Sequence, residues 1–503
     1  MDARAAYEDL IRRSRERALL SSCSALLGWD EQTYLPRGGS LARGDQMALL
    51  AGLTHERATD PVIGERLAAV EASQDGSVPE SPEAANVREW RRSFDRLTRL
   101  PRSLVEDLAR TTTVAQGEWV EARQANDFGR FRPWLESIVG LKRQEAACLA
   151  DGGDLYDALL DQYEPGARAR DLAPLFEALR RDLVPLISAI VGSGQRSDRS
   201  ALEGDYPIDR QRVFGESVAA AIGFDFDRGR LDTAAHPFCS GIAPGDCRIT
   251  TRFDARDFTD GFFSILHEVG HALYEQGLDP AHHGTPMGES VSLGVHESQS
   301  RLWENAVGRG RAFWEHWLPQ ARRVFRGPLR NVDLDAFLAA INRVEPSLIR
   351  VQADEVTYNL HILIRFELEL ALIGGDLAVG DLPAAWSEKY RESLGVVPLD
   401  DASGCLQDIH WAAGLVGYFP TYTLGNLYAA QLCRKAEADL DGLDRSIARG
   451  DFAGLLGWLR ENIHRQGQRH RAGELIRRAT GATLDHRPLV ASLKQKYADP
   501  KGG

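Results

Sequence analysis

Apolar residues recur every three to four positions along most of this chain, the spacing of helices that bury one face. The pattern is strongest over 4–27, 101–126, 133–151, 169–193, 347–373 and 426–448. These segments are rich in Ala, Leu, Arg and Glu, which lose little freedom in a helix. Two-residue alternation is scarce. Residues 247–253, reading C-R-I-T-T-R-F, alternate and carry β-branched side chains, and 417–424 is a second strand candidate. Gly, Pro and Asp mark 224–245 and 278–288 as loops. Residues 72–85 read as an exposed loop, too near the start to separate a pair of sizeable domains. No linker, repeat or low-complexity tract interrupts the pattern. The expectation is a mainly α protein in which residues 1–503 form one unit, with a groove between two helical lobes as a site of suitable size.

One helical stretch carries chemistry. Phe262, Leu266, Val269 and Leu273 fall at spacings of four, three and four, an apolar stripe. Thr259 or Asp260 can cap its start, and Gly277 followed by Pro280 can stop it. On the adjoining face stand the histidines of His267-Glu268-Val269-Gly270-His271. They lie one turn apart, so both rings can reach one metal ion. Glu268 sits about 100° round the helix, off the metal but beside a water bound there. This H-E-x-x-H pattern predicts metal-assisted hydrolysis, most often of a peptide bond. Gly270 costs about 1 kcal/mol against alanine inside a helix, so it is expected to mark a close backbone approach.

A catalytic zinc has three protein ligands and one open position. The downstream carboxylates are Glu275, Glu289, Glu297 and Glu304. Glu275 shares the histidines' face but would be strained as a ligand one further turn along. Glu297 lies on a second predicted helix whose buried stripe is Val295, Ser298, Leu302 and Ala306. Arg301, four residues later, is placed to orient its second oxygen. Glu297 is the preferred third ligand.

Bulk composition changes this picture little. The chain has 503 residues, 43% hydrophobic and 26% charged, ordinary for a globular protein with a large core. A net charge of −13 argues against nucleic acid as the main partner. Six scattered cysteines, none in a C-x-x-C pair, suit a reducing compartment. No signal peptide and no apolar run of membrane-spanning length is seen, so the cytoplasm is expected and a membrane partner is not.

His296-Glu297-Ser298-Gln299 resembles the H-E-S-Q motif of the thermostable metallocarboxypeptidase family. Other segments match family motifs in order. His236-Pro237-Phe238 matches H-P-F, Asp246 to Thr250 matches D-x-R-x-T, and Ile349 to Asp354 matches I-R-x-x-A-D. Gly404 to Trp411 matches G-x-x-Q-D-x-H-W, and Trp29-Asp30 through Pro36-Arg37-Gly38-Gly39 also resembles family members. Gln352 departs from the glutamate common at that position. The resemblance covers essentially the whole chain. It implies a mostly helical, two-lobed fold with a deep groove and a small sheet, similar to angiotensin-converting enzyme and neurolysin. It also implies a zinc carboxypeptidase, with cobalt able to substitute. Such an enzyme releases single residues from peptides with a free C-terminal carboxylate, with broad specificity and poorly at proline. A homodimer is implied as well.

Roles follow as expectations. His267, His271 and Glu297 hold the metal, and Glu268 is general base and then acid. Tyr422 and His410 are candidate donors to the oxyanion, against purely structural roles for each. Arg350 and Arg248 are candidates for the substrate carboxylate, which their planar forks match. The plainer alternative for Arg350 is an i,i+4 ion pair with Asp354. His236 lines the groove or supports the site. Asp246, Asp354, Gln407 and Asp408 have no assigned chemistry, although Asp354 or Asp408 could orient a metal histidine. A zinc oligopeptidase lacking the carboxylate clamp and an inactive peptide-binding relative are the alternatives.

Overall fold

The computed structural model describes residues 2–73, 80–193 and 199–498. Helices dominate, and one three-stranded sheet accompanies them. The expected helices over 4–27, 101–126, 133–151 and 169–193 appear as Ala3–Thr33, Arg102–Ala125, Phe128–Ala150 and Ala169–Gly192. Among the described residues, no helix is long and apolar enough to cross a membrane. Of the loop expected over 72–85, residues 74–79 lie outside the described residues, and a helix begins at Pro82 behind the Ser81 cap.

Several expected elements need correction. The loop assigned to 224–245 contains two strands, β1 (Gly229–Thr233) and β2 (Cys239–Ala243), which flank β3 (Asp246–Thr251). β1 runs parallel to β3 with Leu231 beside Ile249, and β2 runs antiparallel with Cys239 beside Ile249. Neither outer strand alternates clearly, so pairing with β3, not propensity, makes them strands. The candidate strand 417–424 instead starts the helix Pro420–Asp439, where proline at the first turn suits a helix better than a strand. The 347–373 helix begins only at Tyr358, because Asp354 caps the N–H groups of Val356 and Thr357 and closes a turn there. The 426–448 helix stops at Asp439, and Leu443–Ile447 is a separate short helix.

The H-E-x-x-H helix spans Phe258–Gly277 and is capped by Asp257, whose carboxylate accepts the Thr259 N–H, rather than by Thr259 or Asp260. It runs through the main core, packed on β3 and on the helices Ile208–Ile222 and Leu293–Arg301. Its first turns are anchored by aromatic contacts. Phe262 lies 5.3 Å from both Phe214 and Trp314, and Phe258 lies 5.0 Å from Phe325. Burial of each such ring contributes roughly 1.5–3 kcal/mol, more than the cap, so packing fixes the helix.

The second predicted helix is Leu293–Arg301, capped by Ser292, and it continues as a π-turn over Leu302–Val307. The wider turn shifts the buried face by one residue: Val307 is buried and Ala306, expected in the stripe, is exposed. Glycines let this helix pack closely on both sides. A Cβ at Gly270 would lie 2.5 Å from the Gln299 carbonyl oxygen and from Ser300 Cα. On the other side, a Cβ at Gly425 of the Pro420–Asp439 helix would lie 2.5 Å from Glu297 Cγ.

A smaller core of Leu10, Leu67, Val70, Val87 and Trp90 ties the first helix to Pro61–Glu71 and Pro82–Arg99. A cavity of about 500 Å³ opens beside the first helix, with Arg17, Ser21, Tyr163, Ile242, Glu275 and Glu289 among its walls.

Gly270→Ala should lower stability. The clash is with backbone, which cannot rotate away, so a loss of about 1–3 kcal/mol is expected against a helix-propensity gain of about 1 kcal/mol. Denaturant unfolding checks this, and a variant at least as stable as the parent would mean that the helices do not cross so closely.

Candidate metal centre

His267, His271 and Glu297 converge. His271 Nε2 lies 3.5 Å and His267 Nε2 3.8 Å from Glu297 Oε2. Among the described residues, this is the His/Cys/Asp/Glu group able to hold a metal ion. Two ligands each about 2.0–2.1 Å from a tetrahedral zinc stand about 3.3 Å apart, so the observed spacings are near those of a loaded site.

The remaining polar atom of each residue is engaged elsewhere. His267 Nδ1 lies 2.9 Å from Glu304 Oε2. His271 Nδ1 lies 3.1 Å from the His296 carbonyl oxygen and 2.6 Å from His296 Nδ1. Arg301 Nε donates to Glu297 Oε1 at 2.7 Å, which leaves Oε2 facing the two rings. Metal-ligating histidines characteristically bind a carboxylate or carbonyl through the distal nitrogen, so the donor set fits a metal. Neither Asp354 nor Asp408 orients these histidines, as the sequence had allowed. Asp354 caps a turn, and Asp408 lies among arginines.

Electrostatics follow from this packing. Burial opposes ionisation of Glu297, but Arg301 and the two histidines outweigh it and hold the carboxyl well below its ordinary range. Glu304 is held at about 2, its burial overcome by His267, Arg301 and Arg309. Burial pushes the Glu268 carboxyl up to about 7, with Glu297 and Glu304 adding to the rise and His267 opposing it. Glu268 is buried and has no hydrogen-bond partner among the described residues. Burial lowers His271 to about 4, helped by His296.

A second cluster adjoins the first. The Arg301 guanidinium lies 4.5 Å from the centre of the Tyr358 ring, and Arg350 Nη1 donates to the Tyr358 hydroxyl at 3.0 Å. Arg350 is buried. Its Nε donates to Asp408 at 2.9 Å, and its guanidinium lies 5.3 Å from the Tyr422 ring centre. Its Nη2 has no partner among the described residues. The expected alternative of an Arg350–Asp354 pair is therefore not what forms. Asp408 also accepts from Arg365, and Gln407 Oε1 accepts from the Arg350 N–H and from Arg365. The Tyr422 hydroxyl lies 3.2 Å from His410 Nε2, while His410 Nδ1 is buried with no hydrogen-bond partner among the described residues and faces Asp408 Oδ1 at 4.0 Å. Burial lowers His410 to about 4, so its ring is neutral near pH 7.

Arg248 is committed to Asp246 through two hydrogen bonds of 2.8 and 2.9 Å and lies over Trp29 at 4.2 Å. His236 is exposed in the bend between β1 and β2. Sequence reasoning gave no role to His296 or Tyr358 and weighed Glu304 only as a ligand. The signal for Glu304 was its position two turns beyond Glu297, but the π-turn that brings it to His267 has no sequence signature.

Comparison with known proteins gives the same reading. Residues 9–497 match the family described as Carboxypeptidase Taq (M32) metallopeptidase. Thermostable carboxypeptidase 1 of Thermus thermophilus is 52% identical, with 99% of each chain aligned. Carboxypeptidase 1 of Bacillus subtilis is 36% identical over 98% of this chain and 97% of its own. The crystal structure of the M32 carboxypeptidase from Deinococcus radiodurans superposes with a TM-score of 0.95 at 44% identity, covering 98% of this chain and 99% of that one. Similarity of this extent, in sequence and in fold, places the chain in the M32 family, and it is a metallocarboxypeptidase.

Proposed function

We infer that the chain is a zinc-dependent carboxypeptidase that removes single C-terminal residues with broad specificity and acts poorly at proline, and that cobalt can replace the zinc. The observation that carries this reading is the convergence of His267 Nε2, His271 Nε2 and Glu297 Oε2 while Nδ1 of each ring and Oε1 of the carboxylate are held elsewhere. Zinc held by these residues would supply a Lewis acid for the scissile carbonyl and acidify a water molecule. Glu268 takes a proton from the attacking water and delivers it to the leaving amine. Its lack of a hydrogen-bond partner among the described residues supports that role.

Tyr422 donates to the developing oxyanion. A neutral His410 carrying its proton on Nε2 donates to the Tyr422 oxygen, and the Tyr422 O–H, which is hydrogen-bonded to Tyr418, turns to the substrate oxygen when substrate binds. Arg350 binds the substrate α-carboxylate through its unpartnered Nη2, while Asp408 and Tyr358 hold the rest of the guanidinium. Arg248 is a second contact with less support, since Asp246 already fills its fork. His236 contributes at the groove edge. The whole of 1–503 acts as one catalytic unit, which a main core running from Ala115 to Leu493 supports. The scattered cysteines, none in a C-x-x-C pair, support a cytoplasmic location. The homodimer rests on the family resemblance alone.

Glu268→Gln should lower kcat by about 10²–10⁴-fold and Tyr422→Phe by about 10²-fold, with zinc content unchanged in both. Steady-state kinetics with metal analysis checks this, and a native rate in either variant removes that residue from the mechanism. Arg350→Ala should raise KM for free-ended peptides by about 10–100-fold and leave cleavage of amidated peptides unaffected. Equal losses on both peptide types would refute the clamp and favour an oligopeptidase.

A further inference from the structure

Glu275 stands one helical turn too far along to touch the metal directly, yet it reaches the site through another ring. Its Oε1 lies 2.8 Å from His296 Nε2. His296 Nδ1 in turn lies 2.6 Å from His271 Nδ1. The His271 and His296 rings are nearly parallel, 27° apart with centres at 4.6 Å. Glu275 is itself confined from the sheet side. A Cβ at Gly241 of β2 would lie 2.4 Å from its Oε2, so the strand backbone passes directly over the carboxylate.

The hydrogen bonds along this line admit one consistent arrangement when every group takes its ordinary form. The carboxylate accepts, so His296 carries its proton on Nε2 and donates it to Glu275. His296 Nδ1 is then an acceptor, and it faces His271 Nδ1, which must be the donor. A proton on His271 Nδ1 leaves the lone pair on Nε2, the atom that faces Glu297 Oε2 at 3.5 Å. The His296 carbonyl oxygen, 3.1 Å from the same Nδ1–H, reinforces the choice.

From this geometry we propose that Glu275 is a positioning residue, which fixes the tautomer and the angle of the His271 ring through His296. The inference rests on reading His267, His271 and Glu297 as the metal ligands. It differs from the arrangement at His267, whose partner Glu304 touches the ligand ring directly. At His271 the carboxylate acts one ring away, from the wall of the cavity.

The test compares Glu275→Gln with Glu275→Met. The glutamine oxygen can still accept from His296 Nε2–H, whereas methionine keeps the bulk and loses the acceptor. Zinc affinity is measured by competition with a chromogenic chelator, alongside nitrogen-15 NMR of the histidine rings in the metal-free protein. We expect Glu275→Met to bind zinc about 10–100-fold more weakly and Glu275→Gln to stay within about threefold of the parent. The parent and Glu275→Gln should show His296 protonated on Nε2, and Glu275→Met should lose that signature. Parent-like zinc affinity in Glu275→Met, or equal losses in both variants, overturns the inference. Should Glu275→Met fail to fold, the parent spectrum still decides: a proton on His296 Nδ1 overturns it. If the parent itself binds no zinc through these histidines, the metal reading fails instead, a separate and recognisable result.

Discussion

The close crossing of two helices underlies the whole site. The H-E-x-x-H helix and the Glu297 helix meet where Gly270 lies against the backbone of Gln299 and Ser300. That contact brings Glu297 within reach of both histidines, although 25 residues separate it from the nearer one along the chain. Gly425 presses from the opposite side against Glu297 itself, so the carboxylate is held between two helices with little freedom to move. A glycine inside a helix is unfavourable locally. Here it permits a separation that any side chain would prevent, and the ligand geometry depends on that separation.

Bringing Glu268, Glu297 and Glu304 together in a buried region is unfavourable unless their charges are answered. Arg301 answers two of them, bonding Glu297 at 2.7 Å and reaching Glu304 at 3.4 Å, and Arg309 approaches Glu304 at 3.5 Å. Among the described residues no arginine pairs with Glu268, and of the three its carboxyl alone is pushed up rather than down. The same rule shapes the neighbouring cluster, where Asp408 joins the guanidinium groups of Arg350 and Arg365. Tyr358 touches an arginine of each cluster, so the half that fits a metal and the half that fits a carboxylate share one aromatic side chain.

Much of the site was legible in the sequence because its residues sit at helical spacings. The pairing of His267 with His271, the place of Glu297 on a following helix and the reach of Arg301 back to it all follow from 3.6 residues per turn. The close approach at Gly270 was legible too, since a glycine in a strong helical pattern needs a reason. What could not be read depended on tertiary contacts. The π-turn after Leu302 turned Glu304 from a candidate ligand into a partner of His267 and moved burial from Ala306 to Val307. β1 and β2 lack a strand pattern of their own and exist because β3 pairs with both. The residues at 417–424 carry the aromatic and β-branched types of a strand, yet Pro420 opens a helix there whose buried face packs on Glu297.

Anomalous diffraction at the zinc edge, from crystals of the protein grown with one equivalent of zinc, would locate the metal and name its ligands. One strong peak is expected, about 2.0–2.2 Å from His267 Nε2, His271 Nε2 and a Glu297 oxygen. A peak bound through the Nδ1 atoms, or one centred on His296 and Glu275 with the Glu297 oxygen left out, would contradict this ligand assignment.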